Sequence, residues 1–154
     1  MDKEFIQCWF SGFEDGLRAM DAKARSNLLA HCARRCADTG VLQAHLHHYE
    51  AVGGNRDAFY GRLSEIGNIR GEIVIPGKEY VICFPDCACD LHTDCGVNSP
   101  LLCECSRQSI RYVAQTVWKG CSVQVEPEGT VLSGASECRF RLNFRNKRQT
   151  QEAI

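Results

Sequence analysis

Apolar residues recur at helical spacing through the first part of the chain and then change to alternation. That change of period predicts a helical half, about residues 1–68, followed by a half of strands and one helix, about 69–145. Phe5, Trp9, Phe13, Leu17 and Met20 place a single apolar stripe on the otherwise charged stretch from Lys3 to Met20, the pattern of an amphipathic helix. A second helix is expected from Asp21, a good N-cap, with Leu28, Leu29, Cys32 and Cys36 on its stripe, as far as Asp38-Thr39-Gly40. A shorter one spans Val41 to Glu50 and is closed by Gly53-Gly54. Asn55 to Asp57 can cap a fourth, with Phe59, Leu63 and Ile66 on one side.

From Gly71 the period is that of strands. Gly71–Ile75 and Glu79–Phe84 flank Pro76-Gly77 as a hairpin. Pro85 to Pro100 has no period and reads as a long binding loop. Ser106 is expected to cap a helix with Ile110, Val113, Ala114, Val117 and Trp118 on one stripe, ending at Lys119-Gly120. Ser122–Glu126, Thr130–Leu132 and Glu137–Phe144 read as strands, the last turning Cys138, Phe140, Leu142 and Phe144 inward and Arg139, Arg141, Asn143 and Arg145 outward. The expected fold is α+β: N-terminal helices on an antiparallel sheet, one long helix inserted before the last strands, and a frayed tail, 146–154.

The chain has 154 residues, enough for one domain with one core and no obligatory staple. With a net charge of −1 and both signs interspersed, nothing advertises a nucleic-acid or membrane partner. The basic end, Arg139, Arg141, Arg145, Lys147 and Arg148, reads more readily as a solvated face than as a phosphate site. Early charges exclude a signal peptide and no stretch is long enough to span a bilayer, so a cytoplasmic location is expected. Eleven cysteines in such a compartment point to ligands, reactive thiols or small core residues rather than disulfides.

The candidate chemistry lies in Cys87-x-Cys89, Cys95 and Cys103-x-Cys105. Thiolates favour soft metals, and a loop bracketed by two Cys pairs can wrap a tetrahedral ion, although zinc ribbons use two intervening residues rather than one. The alternative, small buried residues with one or two incidental thiols, weighs about as much. Cys105, at the expected helix start, would have its thiolate favoured by the macrodipole, making it a candidate ligand or nucleophile. Cys32 and Cys36 share a helix face and read as core in preference to metal ligands. His45, His47 and His48 read as solvated; His92, among sulfur and carboxylate neighbours, is the better ligand or base. Gly-x-Gly-x-x-Gly, a phosphate loop, His-Glu-x-x-His and Gly-x-Ser-x-Gly are all missing from the sequence, which lowers the standing of nucleotide and cofactor chemistry.

Cys103-Glu104-Cys105-Ser106, the helix to Gly120, the Ser122–Glu126 strand and Leu132-x-Gly134-x3-Cys138-Arg139-Phe140-Arg141-Leu142 together resemble the C-terminal half of 4-vinyl reductase-type ligand-binding domains. They are also similar to L-2-amino-thiazoline-4-carboxylic acid hydrolase-like proteins. The resemblance covers about sixty residues and implies an α+β domain, often a homodimer, with a small apolar pocket between helices and sheet. It also implies zinc held by Cys105, Glu126 or Glu128, and Cys138. Thr130 stands at the remaining family position, so that Cys87, Cys89, Cys95 or Cys103 would supply the missing sulfur.

Three readings follow in order. The first is a small-molecule sensor or carrier with a structural, thiolate-bound zinc. The second is a hydrolase of a small cyclic or thiol-containing compound, using a Cys with His92 as base or metal-activated water. The third is a redox or metal-handling protein.

Overall fold

The computed structural model describes residues 2–146. Six α-helices and a four-stranded antiparallel sheet are present among them, the α+β architecture expected. Helices α1 (Lys3–Ala19), α2 (Ala22–Ala37), α3 (Val41–Ala51) and α4 (Arg56–Gly61) come first, followed by a 3-10 turn, Leu63–Ile66. Strands β1 (Arg70–Ile75) and β2 (Glu79–Phe84) form the hairpin, a short α5 (Asp90–Thr93) interrupts the loop, and α6 (Leu101–Val117) leads to β3 (Cys121–Gly129) and β4 (Cys138–Asn146). The sheet order is β1-β2-β4-β3. The tail beyond Asn146, with Lys147 and Arg148, lies outside the described residues.

Local chemistry sets the helix starts. Asp2, Asp21 and Asn55 each accept a hydrogen bond from a first-turn amide, of Glu4, Ala24 and Ala58 respectively. α3 ends at Gly53 and Gly54, both with positive φ, which glycine adopts without steric cost. A second glycine is required by packing: a Cβ on Gly71 of β1 would run into the Tyr60 carbonyl at the end of α4. Its bare backbone is what lets α4 lie against the sheet.

One cluster of buried side chains runs through both halves of the chain. Ala37, Phe59, Tyr60 and Leu63 from the helices meet Tyr80, Ile82, Val123, Val125, Phe140, Leu142 and Phe144 from the sheet. The alternation read in the last strand is present, with Cys138, Phe140, Leu142 and Phe144 buried and paired opposite Phe84, Ile82 and Tyr80 of β2 and Val125 and Val123 of β3. α6 covers β3, and α2 lies along α6. Their contact is fixed by buried Gln108, which donates to Ser26 Oγ at 2.7 Å and to Glu104 Oε1 at 3.2 Å. Arg107 clamps Glu104 and reaches the Val125 carbonyl of β3 at 3.3 Å.

Four expectations are corrected. Phe5 and Trp9 are 61 and 62% exposed: α1 buries Phe10 and Leu17, so two of the five residues of its expected apolar stripe face outward. On α2 the buried row is Leu29, Ala33 and Ala37, and Cys32 and Cys36 are exposed rather than core. The segment expected as a strand at Thr130–Leu132 is a 3-10 turn, Val131–Ser133. It is closed by the Thr130 carbonyl, which accepts from the Ser133 and Ala135 amides. α6 begins at Leu101, five residues before Ser106, whose hydroxyl is spent on the Leu102 carbonyl at 3.2 Å.

Candidate functional site

The inner face of the sheet does not fill the space beneath the helices. A cavity of about 350 Å³ remains, within the range of small-molecule sites. Its floor is Ile82 and Phe84 of β2 with Cys138 and Phe140 of β4. One wall is α6, which contributes Leu102, Ser106, Ile110, Val113 and Val117, the stripe that helical periodicity turns to one side. These positions span about 22 Å of the helix at 1.5 Å per residue, so the lining extends along most of α6. Phe59, Tyr60 and Trp118 close the far end, their rings in edge contact at 5.0 and 5.3 Å. The cavity meets the surface where exposed Cys32 and Cys36 of α2, Val41 of α3 and Ala88 to Leu91 of the loop border it.

Seven cysteines line this space: Cys32, Cys36, Cys87, Cys89, Cys103, Cys105 and Cys138. Five of the six candidate thiols are therefore brought to one cavity. The sixth, Cys95, is outside it, packed with Phe10, Val97 and Leu102, and its carbonyl accepts from Gln7 Nε2 at 3.1 Å. Cys32 and Cys36 are additions. Their shared helix face was visible in the sequence, but the neighbouring Leu29-Ala33-Ala37 row takes the core side of α2 and leaves the thiols at the cavity mouth.

The early start of α6 alters the chemistry of its thiols. Cys105 sits in the second turn, where the terminal amides are already paired, and burial pushes its thiol up to about 12, with Cys32, Cys36 and Cys89 adding to the effect. The helix-dipole lowering expected there is overridden. Burial raises Cys103 against a hydrogen bond with Thr130, and raises Cys138 against the Val131 amide, which donates to its sulfur at 3.3 Å. Cys89 is raised by burial as well. At neutral pH these are thiols, part of an apolar wall.

Placing Cys103 and Cys105 within a helix also separates them, because residues two apart do not share a face. Cys103 has Cys138, Cys87 and Cys89 for neighbours and Cys105 has Cys32, Cys36 and Cys89, so that Cys89 is the thiol common to both. Among the described residues no group of three or more His, Cys, Asp or Glu side chains stands close enough to hold a metal ion. Glu126 and Glu128 are exposed; Glu128 pairs with Arg141 at 3.0 Å on the opposite face of the sheet. Thr130 is buried and donates to Ser133 Oγ at 2.9 Å.

The histidines divide differently from the expectation of solvent exposure. His48 is buried, its Nε2 donating to the Phe59 carbonyl at 2.9 Å. His45 lines the cavity and donates from Nδ1 to the Val41 carbonyl at 2.8 Å, and burial lowers its pKa, leaving a neutral ring with Nε2 as an acceptor. His92 bonds the Val97 carbonyl at 3.0 Å and does not line the cavity.

No model of a known protein family matches the chain, and no curated protein does. Solved structures do. A trafficking protein particle complex subunit 3 from Naegleria fowleri, covalently bound to palmitic acid, superposes with a TM-score of 0.50 at 13% identity. The match covers 94% of this chain and 95% of that one. At that identity the likeness is one of fold. No helix among the described residues is long and apolar enough to cross a membrane.

Proposed function

We propose that the protein binds a linear, mostly hydrocarbon molecule, such as a fatty acyl chain, in the cavity beside α6, and acts as its sensor or carrier. The observation that carries this reading is the lining of the space: a cavity of about 350 Å³ that follows about 22 Å of α6 and is walled by hydrocarbon and by thiols that burial keeps protonated. Such a site takes affinity from apolar burial and needs few polar contacts. Two likenesses support it: the palmitic acid held by the trafficking subunit of similar fold, and the apolar pocket implied by the resemblance to 4-vinyl reductase-type domains. The hydrolase reading is weaker, because a Cys nucleophile needs a thiolate and burial opposes one at Cys105. Eleven free cysteines favour a reducing compartment, and so the cytoplasm.

Palmitic acid titrated against the full chain is the test, followed by native mass spectrometry and by displacement of a fluorescent fatty acid. Saturable one-to-one binding is expected, with at least about tenfold weaker binding in Ser109→Phe, which places a ring in the cavity. Equal binding by both proteins, or none by either, overturns the reading. Mass under denaturing conditions before and after hydroxylamine separates a thioester from a non-covalent guest. Zinc is proposed as an occupant of the same thiols. Elemental analysis of the purified chain decides it, and zinc content unchanged in Cys105→Ala argues against that site.

A further inference from the structure

Arginines on the outer face of the sheet are matched by glutamates. Arg70 pairs with Glu137 at 2.8 Å, Arg139 with Glu72 at 2.7 Å, and Arg141 with Glu79 at 2.8 Å. One corner of the molecule departs from this rule. There a cleft of about 640 Å³ is lined by Arg56, Gly77, Lys78, Cys121, Phe144, Arg145 and Asn146, three cations and no carboxylate among the described residues. None of the three cations has an ion-pair partner among the described residues.

Arg56 is held rather than free. Its guanidinium lies over the Trp118 ring at 4.8 Å and the Phe144 ring at 4.3 Å. Nη1 donates to the Gly77 carbonyl at 3.0 Å and Nη2 to Cys121 Sγ at 3.2 Å, and the buried Nε has no acceptor among the described residues. The adjacent carboxylate, Asp57, accepts from the Gly77 amide at 2.7 Å and the Tyr80 hydroxyl at 2.6 Å, and feels the charge of Arg56 without forming an ion pair with it. A partly buried cation with no ion-pair partner among the described residues gains from an anion that completes it, and a fixed guanidinium beside two exposed cations suits phosphate.

We propose that this cleft binds a phosphate monoester group, free or on a lipid headgroup. Arg56 supplies the fixed positive charge, and exposed Lys78 and Arg145 close on the oxyanion from the hairpin turn and the end of β4. The site lies at the opposite end of β4 from Cys138 and does not depend on the occupant of the cavity.

Cys121, partly exposed in the cleft, provides the readout. The full chain is alkylated with iodoacetamide and Cys121 labelling is followed by peptide mass spectrometry. One arm contains inorganic phosphate, another phosphatidylcholine vesicles with or without phosphatidylinositol phosphate, and sodium chloride holds ionic strength constant. Saturable protection by inorganic phosphate is expected, roughly tenfold weaker in Lys78→Ala/Arg145→Ala, since charge-assisted contacts dominate such sites. These two residues are exposed, so the variant should keep its thermal midpoint and its palmitic acid binding. Protection by phosphoinositide vesicles alone would assign the headgroup as the source. Protection by neither, equal protection by chloride, or protection unchanged in the double variant overturns the proposal.

Discussion

The two faces of the sheet come from the same strands and carry opposite chemistry. Inward, β2 and β4 present Tyr80, Ile82, Phe140 and Leu142 to the helices and leave a cavity beside Cys138. Outward, the same strands present Arg139, Arg141 and Glu79 in a lattice of ion pairs, Arg139 with Glu72, Glu128 and Glu137 and Arg141 with Glu79 and Glu128. Two cysteines make the contrast sharp. Cys138 faces inward opposite Phe84, while Cys83, one position along, faces outward opposite Arg139. Burial raises both thiols, so the face does not decide protonation. Neighbours decide the rest: Cys83 accepts from Arg139 at 3.2 Å and donates to Glu72 at 3.6 Å, whereas Cys138 borders empty volume. Strand alternation sorts residues between the faces, and the inner one leaves room for an apolar guest.

The largest way to break this comparison is at the cavity floor. Phe140→Ala should cost about 3–5 kcal/mol by urea unfolding, as expected for a buried aromatic that leaves a void. A loss below about 1 kcal/mol would mean that the inner face is loosely filled and the cavity adaptable. Next is Gly71→Ala, which drives a methyl group into the Tyr60 carbonyl. A loss of about 1–3 kcal/mol is expected from overpacking, and an unchanged midpoint would show that α4 can shift away from β1.

Smallest is the outer lattice. Arg139→Ala should cost roughly 1 kcal/mol or less, and the difference should shrink in high salt. Its pH signature sharpens the comparison. The Glu72 carboxyl is held down to about 2, chiefly by Arg139, and that of Glu137 to about 2, chiefly by Arg70. Both folded values lie below an unfolded value of about 4.3, so the stabilisation is complete above that pH and is lost as pH falls toward 2. Acid titration of the unfolding midpoint should show this loss between those limits, and a smaller one in Glu72→Gln. An identical acid limb in the variant would show that the lattice contributes nothing to stability.

Much of the fold was legible because period and caps are local. Asp21 and Asn55 cap where expected, the hairpin turns at Pro76-Gly77, and the last strand alternates as read. The candidate thiols were legible as a set, and five of six border one cavity. Less legible was which side of a helix would be covered. On α1, Trp9 and Phe10 are adjacent and both aromatic, yet only Phe10 meets the Val97–Leu102 cluster. On α2, the small Ala33 and Ala37 win the core side over Cys32 and Cys36.

The sequence by itself determined the alternation of the last strand, the helix starts at Asp21 and Asn55 and the concentration of sulfur after Pro85, because these follow from neighbours along the chain. The tertiary structure decided that α6 begins at Leu101, that Cys103 and Cys105 therefore diverge, and that distant Cys32 and Cys36 join them around an apolar space. Desolvation depends on what packs above a residue. The same enclosure that gathers the sulfurs keeps Cys105 protonated, against the direction its place near a helix start would suggest.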